Sequence, residues 1–539
     1  MTTQQHHLPI AEDAVQEAAK EFAEASMPGV APDDFPITSN GDMALQLSSR
    51  LNESDALLWN IERDPCLRST IIAVSLLDGT PDWSSLRERI VTACRQVPRL
   101  RQKVVETPAR VGPPRWQFDK HFDLDYHLRR VVVPPPGDLR AALDMAAPMA
   151  MAAFDKDRPL WEFTLVEGLD NGRSAFIQKV HHSFTDGVGG VELAQLLLDD
   201  MTDGTEKRTD AGSDVRTEAG TRHLSSTTSR RREAVSHARS AASVDVGRSG
   251  GLASVIDAVG ANMRMTAAFS VRSATVLPAL AATAVQHPSR LVRQTIRSVQ
   301  SVAKLLAPVS TPMSTVMIRR GMSRRLEQFD VPLDALLAAA HAADSSLNDA
   351  FLASIAGGMR RYHEHHGVPV EGLRVTMPIN LRRPDDPQGS NRFVPARLVI
   401  PVSTLDPAKR MRELGVLAAA WRREPSLSFS DVIAGVLNRL PIVATTSLFG
   451  GMLKAVDLVA TNVPGIHQRV SLAGAEVIGE YAFAPTSGAA LSIALLSHGT
   501  SCCIGVNIDT EAVDDPDVLV GCLVDGFTEV LAVAGQQVR

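Results

Sequence analysis

The chain has 539 residues, 44% of them hydrophobic and 22% charged, a mix that argues against wholesale disorder, a collagen-like rod or a disulfide scaffold. Lys and Arg number 55 against 61 Asp and Glu, a net charge of −6, so a globally basic nucleic-acid binder is not expected. The five cysteines (Cys66, Cys94, Cys502, Cys503 and Cys522) form no CxxC pair, which fits a reducing cytosol and gives no zinc site. Residues 1–40 set seven acids against Lys20 and contain no apolar run, the reverse of a secretory signal, and read as a weakly ordered acidic tail. Nowhere do about eighteen apolar residues run uninterrupted, so no membrane-spanning helix is expected.

Residues 41–202 alternate strand and helix patterns. Ser54-Asp55 ahead of Ala56, Leu57, Leu58, Trp59 and Ile61 predicts a helix start, and the β-branched run 69–77 predicts a strand. Leu86, Ile90, Val91 and Cys94 share one helical face within 84–97. A strand over 129–133, a helix over 137–154, strands over 161–166 and 174–182, and a helix over 191–198 follow. Residues 203–250 are different. Leu224 is their only Leu and they lack Ile, Phe, Tyr and Trp, too little apolar surface to offset the entropy of ordering, so a disordered linker is expected. Residues 251–330 read as an apolar, basic helical connector. Ten Arg and Lys within 251–325 oppose Asp257 alone, a pattern suited to contact with an anionic membrane surface or, alternatively, to pairing with acids of the flanking units. A second α/β unit spans 331–539. It has helices over 333–343 and 347–365, strands over 373–379 and 396–402, and a long apolar helical region over 429–458 broken at Pro441. Strands over 490–497 and 501–508 and a helix over 516–533 close it.

The sharpest chemical cluster is His181-His182-Ser183-Phe184-Thr185-Asp186-Gly187, at the end of the strand 174–182 and before Val188-Gly189-Gly190. Neighbouring strand residues face opposite ways, so one histidine faces the site and the other packs. A histidine at a strand end is a natural general base near neutral pH. His363-Glu364-His365-His366 lacks HExxH spacing, and no G-x-S-x-G elbow or Cys/His dyad is present.

HHxxxDG resembles the motif of the CoA-dependent acyltransferase superfamily. Pro159-Leu160-Trp161, Ser346-Leu347-Asn348-Asp349, Met377-Pro378-Ile379-Asn380 and Thr461-Asn462-Val463-Pro464-Gly465, in that order, resemble blocks of the bacterial wax ester synthase/diacylglycerol acyltransferase family. So do the earlier Pro98–Gln102 and Phe122–His127 segments. The chain departs from the family at Gly389-Ser390-Asn391, where a Gly-Asn pair is usual, and at Ser497-His498 in place of Ser-Tyr.

The resemblance implies two chloramphenicol-acetyltransferase-like α/β subdomains, with mixed sheets and packed helices, joined by the helical and disordered connector. It implies acyl transfer from acyl-CoA, as co-substrate, to diacylglycerol or a long-chain alcohol, with no bound cofactor, no metal and no nucleic-acid partner. His182 would be the base. His181, Asp186, Gly187, Asn348 and Asp349 complete the catalytic set, and Pro159, Leu160, Trp161, Asn391 and Asn462 would line the substrate channel. The expected location is the cytoplasm, peripheral to the cell membrane or a lipid inclusion. Two alternatives are a non-catalytic lipid-binding protein of the same fold, and transfer to a non-lipid alcohol or amine.

Overall fold

The computed structural model describes residues 50–107, 112–135, 137–185, 187–201, 311–380, 393–422, 434–435, 437–438 and 442–536. The 1–40 tail, the 203–250 linker, Asp186 and Asn391 lie outside the described residues.

The first half opens with α1 (Glu53–Ile61), capped by Asn52, whose side chain accepts the Asp55 N–H. The strand β1 (Thr70–Asp78) leads to α2 (Trp83–Gln96), whose buried Leu86, Ile90, Ala93 and Cys94 form one stripe on the core. A short ribbon, β2 (Gln102–Val105) and β3 (Arg115–Phe118), precedes the single turn α3 (Leu124–His127) and β4 (Leu128–Val132). Next come α4 (Leu139–Met151), β5 (Trp161–Glu167), β6 (Ser174–His181), α5 (Gly187–Gln195) and β7 (Leu198–Asp200). Every residue of β5 and β6 is buried, as expected of central strands covered on both faces.

The second half comprises β8 (Arg324–Pro332), α6 (Leu333–Ala342), α7 (Leu347–His365), β9 (Gly372–Asn380), β10 (Phe393–Pro401), α8 (Pro407–Arg422) and α9 (Ile442–Lys454). It continues through β11 (Leu458–Val463), β12 (Val470–Leu472), β13 (Ala475–Phe483), β14 (Leu491–His498), β15 (Ser501–Asp509) and α10 (Pro516–Gln536). One sheet runs β10-β9-β11-β14-β15-β8. Alternate residues of its strands, such as Val375, Leu458, Ile493 and Val506, pack with Phe351 and Met359 of α7 and with Leu523 and Phe527 of α10.

Two expectations are corrected. The other sheet runs β4-β5-β6-β1-β13-β12-β7, so two strands of the second half complete the sheet of the first. β13 lies antiparallel to β1, with Ile72 opposite Phe483 and Ser75 opposite Glu480. A division at residue 331 therefore does not separate the two layers. The chain between α9 and β14, to which the sequence reading assigned no strand, holds three. The two sheets meet at Gly505 of β15, where a Cβ would stand 2.2 Å from the Ala482 carbonyl oxygen.

The second correction concerns the basic connector. Its described end, from residue 311, is built into the second half. Asp457 accepts the N–H groups of Met313 (3.0 Å) and Ser314 (2.9 Å). Arg319 pairs with Asp514 at 2.8 Å, and Arg324 with Asp509 at 3.3 Å inside the core. Arg320 donates to the carbonyls of Gly488 and Val456, and Arg325 pairs with Glu327 and Asp517. Four of the ten basic residues thus tie the fold together. The other six (Arg264, Arg272, Arg290, Arg293, Arg297 and Lys304) lie outside the described residues.

By length and apolarity alone, α10 could cross a membrane. It is used here as a core helix. Leu519, Leu523, Phe527, Val530 and Val533 are buried, and Glu529 pairs with Arg410 of α8 and Arg361 of α7.

Candidate active site

β6 ends at His181, and the chain turns at once, with the Phe184 N–H donating to the His181 carbonyl at 2.8 Å. His181 is 1% exposed. Its ring sits edge-on to Trp59 (5.8 Å) and Phe154 (6.0 Å). Nδ1 accepts the Ser183 N–H at 3.0 Å, which requires a lone pair there and puts the imidazole proton on Nε2. Nε2 lies 2.9 Å from Glu62 Oε1, just past the end of α1. Burial alone raises the Glu62 carboxyl. The proximity and hydrogen bonding of His181, the Ser69 N–H and nearby Lys156 outweigh it and hold Glu62 below its ordinary value.

His182 follows the strand and is half-buried. Its N–H donates to the Ser69 carbonyl, immediately before β1, at 2.8 Å. The structure therefore puts the two histidines in different settings, one sealed in an aromatic and acidic cage and one at the open end of the strand. Gly187 starts α5. Two residues before His181, buried Lys179 pairs with Glu162 at 3.1 Å and lies 4.2 Å from the Phe154 ring; burial lowers its ammonium.

In the second half Ser346 caps α7. Its hydroxyl accepts the Asp349 N–H, while Asp349 Oδ2 accepts the Ser346 N–H at 2.9 Å and its hydroxyl at 2.7 Å. The Asp349 carboxylate thus closes a capping box. Ser346, not Asn348, is the cap. The Asn348 Nδ2 lies 3.9 Å from the Met377 sulfur of β9, a weak acceptor. β9 runs parallel to β11, so the segment Met377–Asn380 and Asn462, which is half-buried, lie toward the same carboxyl edge of the sheet. Gly465 presses on the end of β14, where a Cβ would meet the Ser497 carbonyl at 1.9 Å. Next to it, His498 Nε2 is 2.9 Å from the Val477 carbonyl of β13. Burial lifts the Glu480 carboxyl, 4.0 Å from His498, to about 7.

Pro159, Leu160 and Trp161 were expected to line a channel; they are core. Leu160 and Trp161 expose nothing, and the indole N–H donates to the Leu100 carbonyl at 2.8 Å. The Trp161 ring stacks on His127 at 4.5 Å, and burial drives that imidazole down to about 4, so it is neutral at pH 7. The sequence decoys resolve in the same way. Buried His363 takes the Ser314 hydroxyl at 2.9 Å and sits 2.8 Å from the Met359 carbonyl. Burial raises all five thiols, Cys94 and Cys503 to about 12, which leaves no activated thiolate.

The family model described as the wax ester synthase/diacylglycerol acyltransferase catalytic domain matches residues 51–351, and that of the family's C-terminal domain matches 390–530. The chain belongs to the wax ester synthase/diacylglycerol acyltransferase family. It is an acyltransferase. A putative diacylglycerol O-acyltransferase of Mycobacterium tuberculosis is 36% identical over 490 residues, covering 91% of this chain and 93% of that protein. A second protein of that organism, a probable diacylglycerol O-acyltransferase, is 27% identical over 76% of this chain and 82% of its own length. The fold is that of the wax ester synthase/diacylglycerol acyltransferase of Marinobacter aquaeolei, with a TM-score of 0.55 and 18% identity over 90% of this chain and all of that one. The first condensation domain of the CDA synthetase is also similar in fold, with a TM-score of 0.51 and 14% identity over 91% and 97% of the two chains.

Sequence reasoning missed Glu62 and Ser69, and it quoted Ser183 within the motif without giving it a role. No local signal marks Glu62, because its partner is 119 residues away and the pairing exists only in the folded sheet.

Proposed function

We propose that this acyltransferase esterifies diacylglycerol to triacylglycerol, and accepts long-chain alcohols to form wax esters, with acyl-CoA as donor and His182 as general base. The observation that carries the reading is the contrast at the end of β6, where His181 is sealed and His182 is half-buried beyond the last strand residue. His182 takes the proton of the acceptor hydroxyl as its oxygen attacks the thioester carbonyl carbon. The carbon–sulfur bond then breaks, and the proton returns to the departing CoA sulfur. No covalent acyl-enzyme is formed. Asn348 donates to the tetrahedral oxyanion. The capping box is closed by Ser346 and Asp349 without the Asn348 amide, which among the described residues makes a weak contact with Met377. Diacylglycerol is favoured as acceptor by the names of the mycobacterial relatives.

The test is thiol release from palmitoyl-CoA, with diolein, hexadecanol or no acceptor. We expect release that depends on an acceptor, is fastest with diolein, and is lost in His182→Ala. Turnover by His182→Ala at the wild-type rate sinks the mechanism, and equal release without acceptor sinks the transferase assignment of these substrates. We also infer peripheral attachment at the cytoplasmic face of a membrane or lipid inclusion. The six basic residues between 264 and 304 would supply about 1 kcal/mol each near an anionic leaflet. Arg290, Arg293 and Arg297 changed together to Glu should cut flotation with anionic vesicles and spare turnover of detergent-dispersed diolein. Wild-type protein that fails to float at low salt overturns this.

A further inference from the structure

One carboxylate oxygen joins the two backbone segments that frame His182. Glu62 Oε1 accepts the Ser69 N–H at 2.6 Å and lies 2.9 Å from Nε2 of His181. The Ser69 carbonyl accepts the His182 N–H at 2.8 Å. On the other side, His181 Nδ1 accepts the Ser183 N–H at 3.0 Å and sits 2.7 Å from the Ser183 hydroxyl. The residues before and after His182 are therefore joined through one ring, that ring places its Nε2 against Glu62, and Ser69, which faces His182, has its N–H on the same carboxylate oxygen. We propose that Glu62 is a positioning residue for His182. The inference rests on the reading of His182 as the base.

The setting makes the grip rigid. Glu62 follows the last turn of α1, and the Asp64 side chain accepts the Cys66 N–H and fixes the next turn. Leu67 is fully buried where two glycines of the second half leave room for it. A Cβ at Gly450 would stand 2.6 Å from its side chain, and one at Gly488 2.9 Å. Residues 62–69 are thus pinned to the second half at Leu67 and to the histidine pair at Glu62 and Ser69. Misplacing a reacting group by about 1 Å costs on the order of 100-fold in rate.

The test is a cycle of variants read as kcat and KM for palmitoyl-CoA with diolein. Glu62→Gln keeps an acceptor oxygen for Ser69 and removes the charge, which roughly halves the strength of such bonds. We expect kcat to fall about tenfold with KM changed by less than about threefold. Glu62→Ala should lose about 100-fold. In a His182→Ala background, Glu62→Gln should cost nothing further, because there is no base left to position. A merely structural role would lower the residual rate by the same factor again. Wild-type kcat in both Glu62 variants, or an equal loss on top of His182→Ala, overturns the proposal. If Glu62→Ala fails to fold, Glu62→Gln decides alone. If His182→Ala keeps wild-type turnover, the base assignment has failed and the positioning role falls with it. A dead His182→Ala beside fully active Glu62 variants removes only the role of Glu62.

Discussion

The His182 end of β6 and the Asn348 end of α7 are both element ends that carry polar side chains, and they are braced in opposite ways. The α7 start is self-contained, because Ser346 and Asp349, three residues apart, satisfy each other's backbone. The β6 end is braced from a distance. Glu62 and Ser69 come from the segment that leads into β1, and Trp59 and Phe154 close the cage around His181. A locally braced end is robust and legible in a four-residue word. A distantly braced end makes the placement of one side chain depend on the register of the whole sheet, as a reaction that needs accurate geometry requires.

Four substitutions sharpen or break that contrast. The largest effect is expected at His182. Its replacement by Ala should cost about 10²–10⁴-fold in kcat while the melting midpoint stays near wild type, since the half-buried side chain supports no core cluster. Calorimetry showing a large loss of stability would mean that His182 is a packing residue as well. His181→Ala should do the reverse in kind. It empties the aromatic cage and removes one of the groups that face the Glu62 carboxylate, leaving the Ser69 N–H, at a cost of about 3 kcal/mol in denaturant unfolding. If His181→Ala is no more destabilising than a lost helix cap, the distant brace is idle.

Glu480, on the strand contributed by the second half, gives a pH test of comparable or smaller size. Its folded pKa of about 7 stands above its ordinary 4.5, so the fold favours the protonated acid and loses stability as pH rises from about 4.5 through 7. Glu480→Gln should flatten that slope and be relatively more stable at pH 8, by up to roughly 3 kcal/mol. A parallel pair of pH–stability curves would show that Glu480 is ionised in the fold. The smallest effect is expected at Ser346→Ala, about 1 kcal/mol of stability, restored by Ser346→Thr. A loss of activity in Ser346→Ala beyond its stability change would show that the local cap also places Asn348.

The same distinction decides what was legible in the sequence. The helix read over 347–365 is α7 to the residue, and the strands read over 490–497 and 501–508 are β14 and β15 within one residue, because local periodicity and end signals specify them. β12 and β13 were not read. Val470–Leu472 is three residues long, Ala473 and Gly474 turn with positive φ, and Gly479 interrupts the pattern. Only pairing with β1 makes these residues a sheet. β11 was not read either: the helical reading over 429–458 stops at its first residue, and Leu458–Val463 is a strand through its parallel pairing with β14 and β9. The HHxxxDG, Asn348 and Asn462 words were visible as words. Glu62 was not, because the pairing that gives it a role is created by folding. The arginines between 319 and 325 stayed open between surface contact and pairing within the fold, because composition cannot see Asp509, Asp514 and Asp517 arriving from nearly 200 residues downstream.

The strand exchange has a consequence for how the protein is made. β1 leaves the ribosome about 400 residues ahead of β13, its antiparallel neighbour. At about 5–20 residues per second, that edge waits roughly 20–80 s with its backbone groups unpaired. An open, apolar strand edge is the usual template for misassociation. The first half therefore cannot finish as a unit during synthesis. Its sheet closes only when the second half delivers β12 and β13, so a chain truncated before Val470 is expected to be inactive and prone to association.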